Sequence, residues 1–198
     1  TEYTKLINKS GLNAGNAILV DLESNTVLAS YRADYIIYPA SMTKIMTLIV
    51  AAEMIDDLNA TFTMTQSIID HAYREGASRA GFVAGETVTM LDLMYGAALP
   101  SGADATSALA IYVAGSEAEF AKLMNKKAEE LGLTSTRFAN ASGLHHPEHY
   151  STVREIAAIM AYAMENPLVA QVLSAKSYTT SKTPQHPNGL SLYNTGFN

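Results

Sequence analysis

The chain has 198 residues and a formal net charge of −6; 48% of its residues are hydrophobic, 16% are charged and none is cysteine. Such a length suits one domain, or one domain carrying an insertion, around a real core; disulfides, zinc–thiolate sites and thiol nucleophiles are excluded. The basic residues are scattered, with only Lys126 and Lys127 adjacent, which speaks against nucleic acid and anionic membrane surfaces as partners.

No apolar run approaches the roughly 18 residues of a membrane span, and Thr1-Glu2-Tyr3-Thr4-Lys5 does not resemble a signal peptide. An exported protein would have lost its targeting segment already. Ala17 to Leu22 and Thr26 to Tyr31 predict two strands joined at Glu23-Ser24-Asn25, a hairpin. A helix is expected from about Ser41 to Met54, ended by Asp56-Asp57-Leu58-Asn59. From there to about Leu133 the sequence is helical and rich in alanine. Thr65-Gln66-Ser67 can cap a short helix through Tyr73; Gly81 to Glu86 predicts an irregular loop with a short strand. Thr89 to Asp92 can cap a helix continuing to about Leu99. Two more follow, from Ser101 or Gly102 to Val113 and from Ser116 to Leu131, the latter stopped by Gly132. In the second, Phe120, Leu123, Met124, Ala128 and Leu131 have helical spacing and belong to the core.

Asn140 to Tyr150 is rich in turn residues. Ser151-Thr152 then caps a helix that ends near Asn166-Pro167. A short helical turn over Leu168–Leu173 and a thin tail with Pro184, Pro187 and Gly189 follow. The pattern is α/β (α+β), with a puzzle: a two-stranded hairpin is not a stable sheet by itself, and strands that would complete it are not evident.

Ser41-Met42-Thr43-Lys44 carries the chemistry. One helical turn is about 3.6 residues, so Ser41 and Lys44 share a face. Ile45 to Ala52 offers almost no polar neighbour, so the amine is desolvated and its pKa falls. A readily neutralised amine beside a hydroxyl makes a nucleophile of a serine that has no histidine. The plainer alternative is a serine cap and a surface lysine. The four-letter pattern is weak alone, yet no other serine here has lysine three residues on. Pro100-Ser101-Gly102-Ala103 is the second candidate, although local grammar alone makes Ser101 an N-cap.

Ser41, Lys44 and Ser101, in that order around a mostly helical segment, resemble the serine penicillin-recognising enzymes, whose motifs are Ser-x-x-Lys, Ser-Asp-Asn and Lys-Thr-Gly. The similarity extends to Ala17–Tyr31, Tyr38 to Thr47, Gly85 to Thr89 with Leu91-Asp92-Leu93, and Pro100 to Ala110. It continues through Phe120, Met124-Asn125, Ala128 to Leu133, Ser142-Gly143-Leu144 and Tyr150-Ser151-Thr152. Over most of its length the chain resembles the D-alanyl-D-alanine carboxypeptidases, the low-molecular-mass penicillin-binding proteins.

The resemblance implies a serine β-lactamase-like fold in one domain over residues 1–198, with an inserted helical subdomain at about 56–140. It implies an exported envelope enzyme that trims peptidoglycan stem peptides ending in D-Ala-D-Ala, is inhibited by β-lactams and needs no cofactor or metal. Ser41 would attack the D-Ala-D-Ala carbonyl and Lys44 would accept its proton. Ser101 would relay a proton to the leaving amine, with Ala40, Gly102 and Ala103 along the substrate. The Ser41 N–H, at a helix start, would be one oxyanion donor.

Two departures stand out. The family usually has asparagine where this chain has Ala103, and Asp104, one residue further round, points about 100° away. No Lys-Thr-Gly occurs; Lys182-Thr183-Pro184 is no substitute, because proline suits a central strand badly. In the family that motif follows a segment resembling Leu192 to Asn198, so the expectation is a fragment, or a second chain that completes the sheet. The alternatives are a serine β-lactamase and a catalytically impaired muropeptide-binding module.

His145-His146-Pro147-Glu148-His149 fits the inverted zinc-peptidase pattern, but Gly143 and Pro147 disfavour the helix that pattern needs. Arg79, Glu86 and Asp92 are expected to be structural. Glu165-Asn166 sits at a helix end and is discounted as a deacylating glutamate.

Overall fold

Helix α1 (Thr43–Met54) follows directly from its sequence. Every residue from Thr43 to Ala51 is buried. A helix that is apolar all round has to be covered all round, and α3 (Met90–Ala98), α4 (Ala103–Ala114), α5 (Glu117–Glu130), α6 (Val153–Glu165) and α7 (Pro167–Ser174) pack about it. The cover that a two-stranded hairpin could not supply comes from these helices. The computed structural model describes residues 5–6 and 13–197. The N-terminal stretch read against a signal peptide lies mostly outside the described residues, as does Asn198.

The hairpin is present as β2 (Ala17–Asp21) and β3 (Thr26–Tyr31), antiparallel, with a register shift between Leu19 and Val20. It has a third strand: β1 (Lys5–Leu6) pairs parallel to β3, giving the order β1-β3-β2. Two residues are too few to show an alternating pattern. Helix α6 packs against β2, while Leu19, Leu22 and Leu28 are exposed.

The strand expected within Gly81–Glu86 is displaced. The pairing is β4 (Thr61–Thr63) with β5 (Thr87–Thr89), and 81–86 is loop. Glu86 is fully buried and organises that loop, accepting from the Val83 N–H at 3.0 Å and the Thr183 hydroxyl at 2.7 Å, with His186 Nδ1 also at 2.7 Å. After α2 (Gln66–Arg74), the Thr89 hydroxyl and the Asp92 carboxylate cap α3 reciprocally; Asp92 also accepts from the Tyr178 hydroxyl and the Ser181 N–H, each at 3.0 Å. Arg79 lies over the Tyr73 ring, 3.8 Å from its centroid. Thr65, Ser116, Thr152 and Asn166 cap α2, α5, α6 and α7, which absorbs the Glu165-Asn166 pair into helix geometry. The tail forms a ribbon of β6 (Ser177–Thr179) and β7 (Ser191–Tyr193).

Leu48 is fully buried in α1. Leu48→Ala should destabilise the chain by about 2–5 kcal/mol, the range for emptying a leucine site in a core. Exposed Leu28→Ala should stay within about 0.5 kcal/mol of wild type; urea denaturation of the two variants checks the contrast.

Candidate active site

The approach to α1 is clamped before the helix begins. Ile37 and Ser151 exchange backbone hydrogen bonds at 2.8 and 3.0 Å, delivering Tyr38-Pro39-Ala40 to a single 3-10 turn over Ala40–Met42. Ala40 has φ +48°, a left-handed conformation uncommon for a residue with a Cβ. Ser41 is thus in the tight turn preceding α1 rather than in the α-helix itself, exposed, with Lys44 one turn deeper and only 6% exposed.

The Lys44 Nζ lies 3.4 Å from Ser41 Oγ and also donates to the carbonyl of Ser142. Desolvation lowers its pKa from 10.5 to about 8, and the Asp104 carboxylate opposes part of that fall. Ser101, after α3, has φ +59°, and its hydroxyl donates to Ser41 Oγ at 3.0 Å. It caps nothing: the N-cap of α4 is Gly102, with no side-chain cap bond. The structure sets the three residues in a line, Lys44···Ser41···Ser101. The lysine's second partner is Ser142 rather than Ser101.

The loop at 139–144 forms the opposite wall. Asn140 Oδ1 accepts from the Gly143 N–H at 2.8 Å and its Nδ2 donates to the Leu144 carbonyl at 2.9 Å. Gly143, at φ +86°, lies against Ala40 so closely that a Cβ would overlap the Ala40 carbonyl oxygen. Thr47 donates to the Ala141 carbonyl at 2.7 Å. Sequence inspection of the residue types misses this wall's chemical part, because a backbone carbonyl leaves no signature; the only signal was the Ser142-Gly143-Leu144 resemblance.

The histidine motif joins the same wall. The Ala139 N–H donates to His149 Nδ1 at 3.0 Å, so the neutral ring carries its proton on Nε2, which donates to Thr43 Oγ1 at 2.6 Å. His149 is 1% exposed, and burial, with lesser contributions from His146 and His145, lowers its pKa to about 4. Residues 145–149 are loop, and both nitrogens of His149 serve the interior. The zinc-peptidase pattern is a coincidence of spacing.

Ala40, Ser41, Lys44, Ser101, Ala103, Ser142 and Gly143, with Ala77, Ser78 and Leu144, enclose a cleft of about 100 Å³. Gly102 is not among its lining residues and lies tight against Gly96 and Ala80. A larger groove of about 710 Å³ runs between α5 and residues 132–137, where Lys122, Lys126 and Arg137 are paired with Glu119, Glu130 and Glu148; it holds no such hydroxyl–amine chain. Thr183 bonds Glu86 and takes no part in the cleft.

An exposed serine hydroxyl, a buried lysine one turn on and a second serine from the neighbouring helix start, in this mainly helical fold with small sheets, define the penicillin-recognising serine enzymes as a class. Within it, the chain belongs to the D-alanyl-D-alanine carboxypeptidase family, whose model matches residues 4–198. It is 39% identical to the carboxypeptidase DacF of Bacillus subtilis (strain 168) over 75% of this chain and 38% of that protein. Against DacC of Escherichia coli (strain K12) the values are 36%, 91% and 47%. A mutant of the Streptomyces K15 DD-transpeptidase superposes with a TM-score of 0.88 at 31% identity, covering 93% of this chain and 75% of that one. The chain spans about half the length, or less, of these curated relatives.

Acid should loosen the 139–149 wall. The folded pKa of His149, about 4, lies below its ordinary 6.5, so between those values the unfolded chain binds the proton more readily. The His149 contribution to stability is therefore complete above pH 6.5 and drains away as pH falls toward 4. The decline in melting temperature over that window should be shallower in His149→Gln than in wild type; equal slopes would remove His149 from the account.

Proposed function

We propose that the chain is the acyl-transfer part of a serine D-Ala-D-Ala carboxypeptidase of the bacterial envelope, acting on peptidoglycan stem peptides and acylated by β-lactams. The observation that carries this is the continuous chain from Lys44 through Ser41 to Ser101 at the mouth of a cleft. Family membership supports this substrate class. Residues at about 56–140, bearing α2 to α5 and the β4–β5 ribbon, would be the inserted helical subdomain.

In this reading neutral Lys44 takes the Ser41 proton as Oγ attacks the carbonyl carbon of the penultimate D-alanine. The developing oxyanion faces the Ser41 N–H in the 3-10 turn before α1, where a preorganised donor has its largest effect. The intermediate collapses; the Ser101 hydroxyl, released from Ser41 Oγ, gives its proton to the leaving D-alanine and takes one from Lys44 across the cleft that both residues line. Water then attacks the acyl-enzyme, Lys44 accepts its proton, and Ser41 is regenerated with the shortened peptide released. A lysine whose pKa is drawn toward 8 suits both duties, since it changes protonation state near working pH. Ala103 offers a methyl where the family usually offers an amide, so substrate contacts from the first turn of α4 fall to backbone groups.

Incubation with benzylpenicillin should add one penicilloyl group, mapped by peptide mass spectrometry to Ser41 and absent from Ser41→Ala; an adduct on another serine overturns the assignment. The acylation rate should rise with pH through a midpoint near 8 and level off above it, because the base form of Lys44 is the active one. Lys44→Ala should remain folded but unacylated, as its removal leaves no buried charge behind. Ala103→Asn should accelerate acylation by restoring the amide; an unchanged or lower second-order rate would show that another group already fills that place.

A further inference from the structure

Asp104 is a fully buried carboxylate that none of these steps uses. Its Oδ1 accepts from the Ala80 N–H at 2.8 Å and from the Ala105 N–H at 3.0 Å; its Oδ2 accepts from the Gly81 N–H at 3.2 Å. Backbone bonds stitch the same seam: the Ala103 N–H to the Ser78 carbonyl at 2.8 Å, and the Gly102 N–H to the Gly96 carbonyl at 3.0 Å. There is no room for a side chain between them, since a Cβ on Gly102 would lie 2.7 Å from the Ala80 nitrogen, from Asp104 Oδ1 and from the Gly96 oxygen. This seam begins one residue after Ser101, whose left-handed backbone persists only because its surroundings impose it. The segment it holds contributes Ala77 and Ser78 to the cleft wall beside Ser101 and Ala103.

The charge of Asp104 has its own consequence. Lys44 is bonded to the Ser41 hydroxyl from the 3-10 turn and to the Ser142 carbonyl from the opposite loop, and Ala103, the residue before Asp104 in α4, lines the same cleft. Asp104 is the charged group that acts on it, and it favours the ammonium against a desolvation that favours the neutral amine. His149, across Thr43, is uncharged near neutral pH.

We propose that Asp104 is a positioning residue of this site: its oxygens clamp the 77–81 segment to the start of α4, holding Ser101 in line with Ser41 and keeping a carboxylate one residue behind Ala103, which lines the cleft with Lys44. The assignment rests on the serine acyl-transfer reading above and extends it to a group that touches neither substrate nor nucleophile. Neither effect can be borrowed from residue 103, which here is a methyl group.

The test compares benzylpenicillin acylation of the 198-residue chain with that of two variants, by intact mass between pH 5 and 10. In Asp104→Asn the amide oxygen still accepts from Ala80 and Ala105, but the charge is gone and an N–H meets the Gly81 N–H. The midpoint of the rising limb should fall by about one pH unit, the scale of a nearby opposite charge. The plateau rate should drop about five- to tenfold, the worth of one hydrogen bond. Asp104→Glu keeps the charge and disturbs the clamp, so its plateau should drop with the midpoint in place. A slower Asp104→Asn with an unmoved midpoint would make the residue merely structural and overturn the proposal. If wild type takes no penicilloyl group, the acyl-transfer reading fails instead, and the proposal is judged on the resting protein by 13C NMR titration of Lys44. A lower Lys44 midpoint in Asp104→Asn supports it; an equal or higher one overturns it. Should that variant not fold, the wild-type Lys44 resonance decides: a second inflection below the Lys44 midpoint, as Asp104 takes up its proton, supports the proposal, and a flat response there overturns it.

Discussion

A lysine amine inside an apolar helix is the constraint around which the rest of the molecule is arranged. Helix α1 buries nine consecutive residues, and Lys44 is the one ionisable side chain among them. An isolated ammonium there would be expensive, so its surroundings either satisfy it or let it shed its proton. The Ser142 carbonyl, the Ser41 hydroxyl and the field of Asp104 do the first; desolvation encourages the second. The balance leaves the amine near the point of changing state, which is what a proton acceptor for a serine hydroxyl requires.

The elements that supply those neighbours meet only through unusual backbone. Ala40 and Ser101 are non-glycine residues with positive φ, one preceding the nucleophile and the other carrying the second hydroxyl, and Gly143 supplies a third left-handed position where no Cβ fits. Left-handed residues with side chains survive where packing over-determines them. The Ile37–Ser151 exchange, the seam around Gly102 and the Asn140-capped loop do the over-determining. Pinning each wall by main-chain bonds keeps three side chains aligned without a network of surface ion pairs.

Buried polar groups elsewhere follow the same logic. Glu86 shapes the 81–86 loop and receives Thr183 and His186 from the distant tail; Asp92 caps α3 and receives Tyr178 and Ser181 from the same tail. Each buried carboxylate saturates its oxygens with donors far apart in sequence, and so fixes where the β6–β7 ribbon lies relative to the helical body. Satisfied in this way, such groups specify geometry; left unsatisfied, they would be costly.

The sequence by itself determined the helices, their caps, the hairpin and the residues of the hydroxyl–amine chain. These are local facts: Thr89 with Asp92, Ser116, Thr152 and the one Ser-x-x-Lys spacing act over three or four residues, within the reach of a single helical turn. Tertiary structure decided what depends on distant backbone. The two-residue β1, the shift of a strand from 81–86 to 87–89, the Ser142 carbonyl under Lys44 and the turning of His149 inward carry no side-chain pattern that announces them. Ser101 shows the division most plainly: its surroundings in sequence spell a helix cap, and only a left-handed backbone, imposed by contacts with Gly96, Ser78 and Ala80, swings its hydroxyl onto Ser41 instead. Local grammar proposes a conformation for such a residue, but the packing around it has the final say because a dense interior leaves one arrangement that fits.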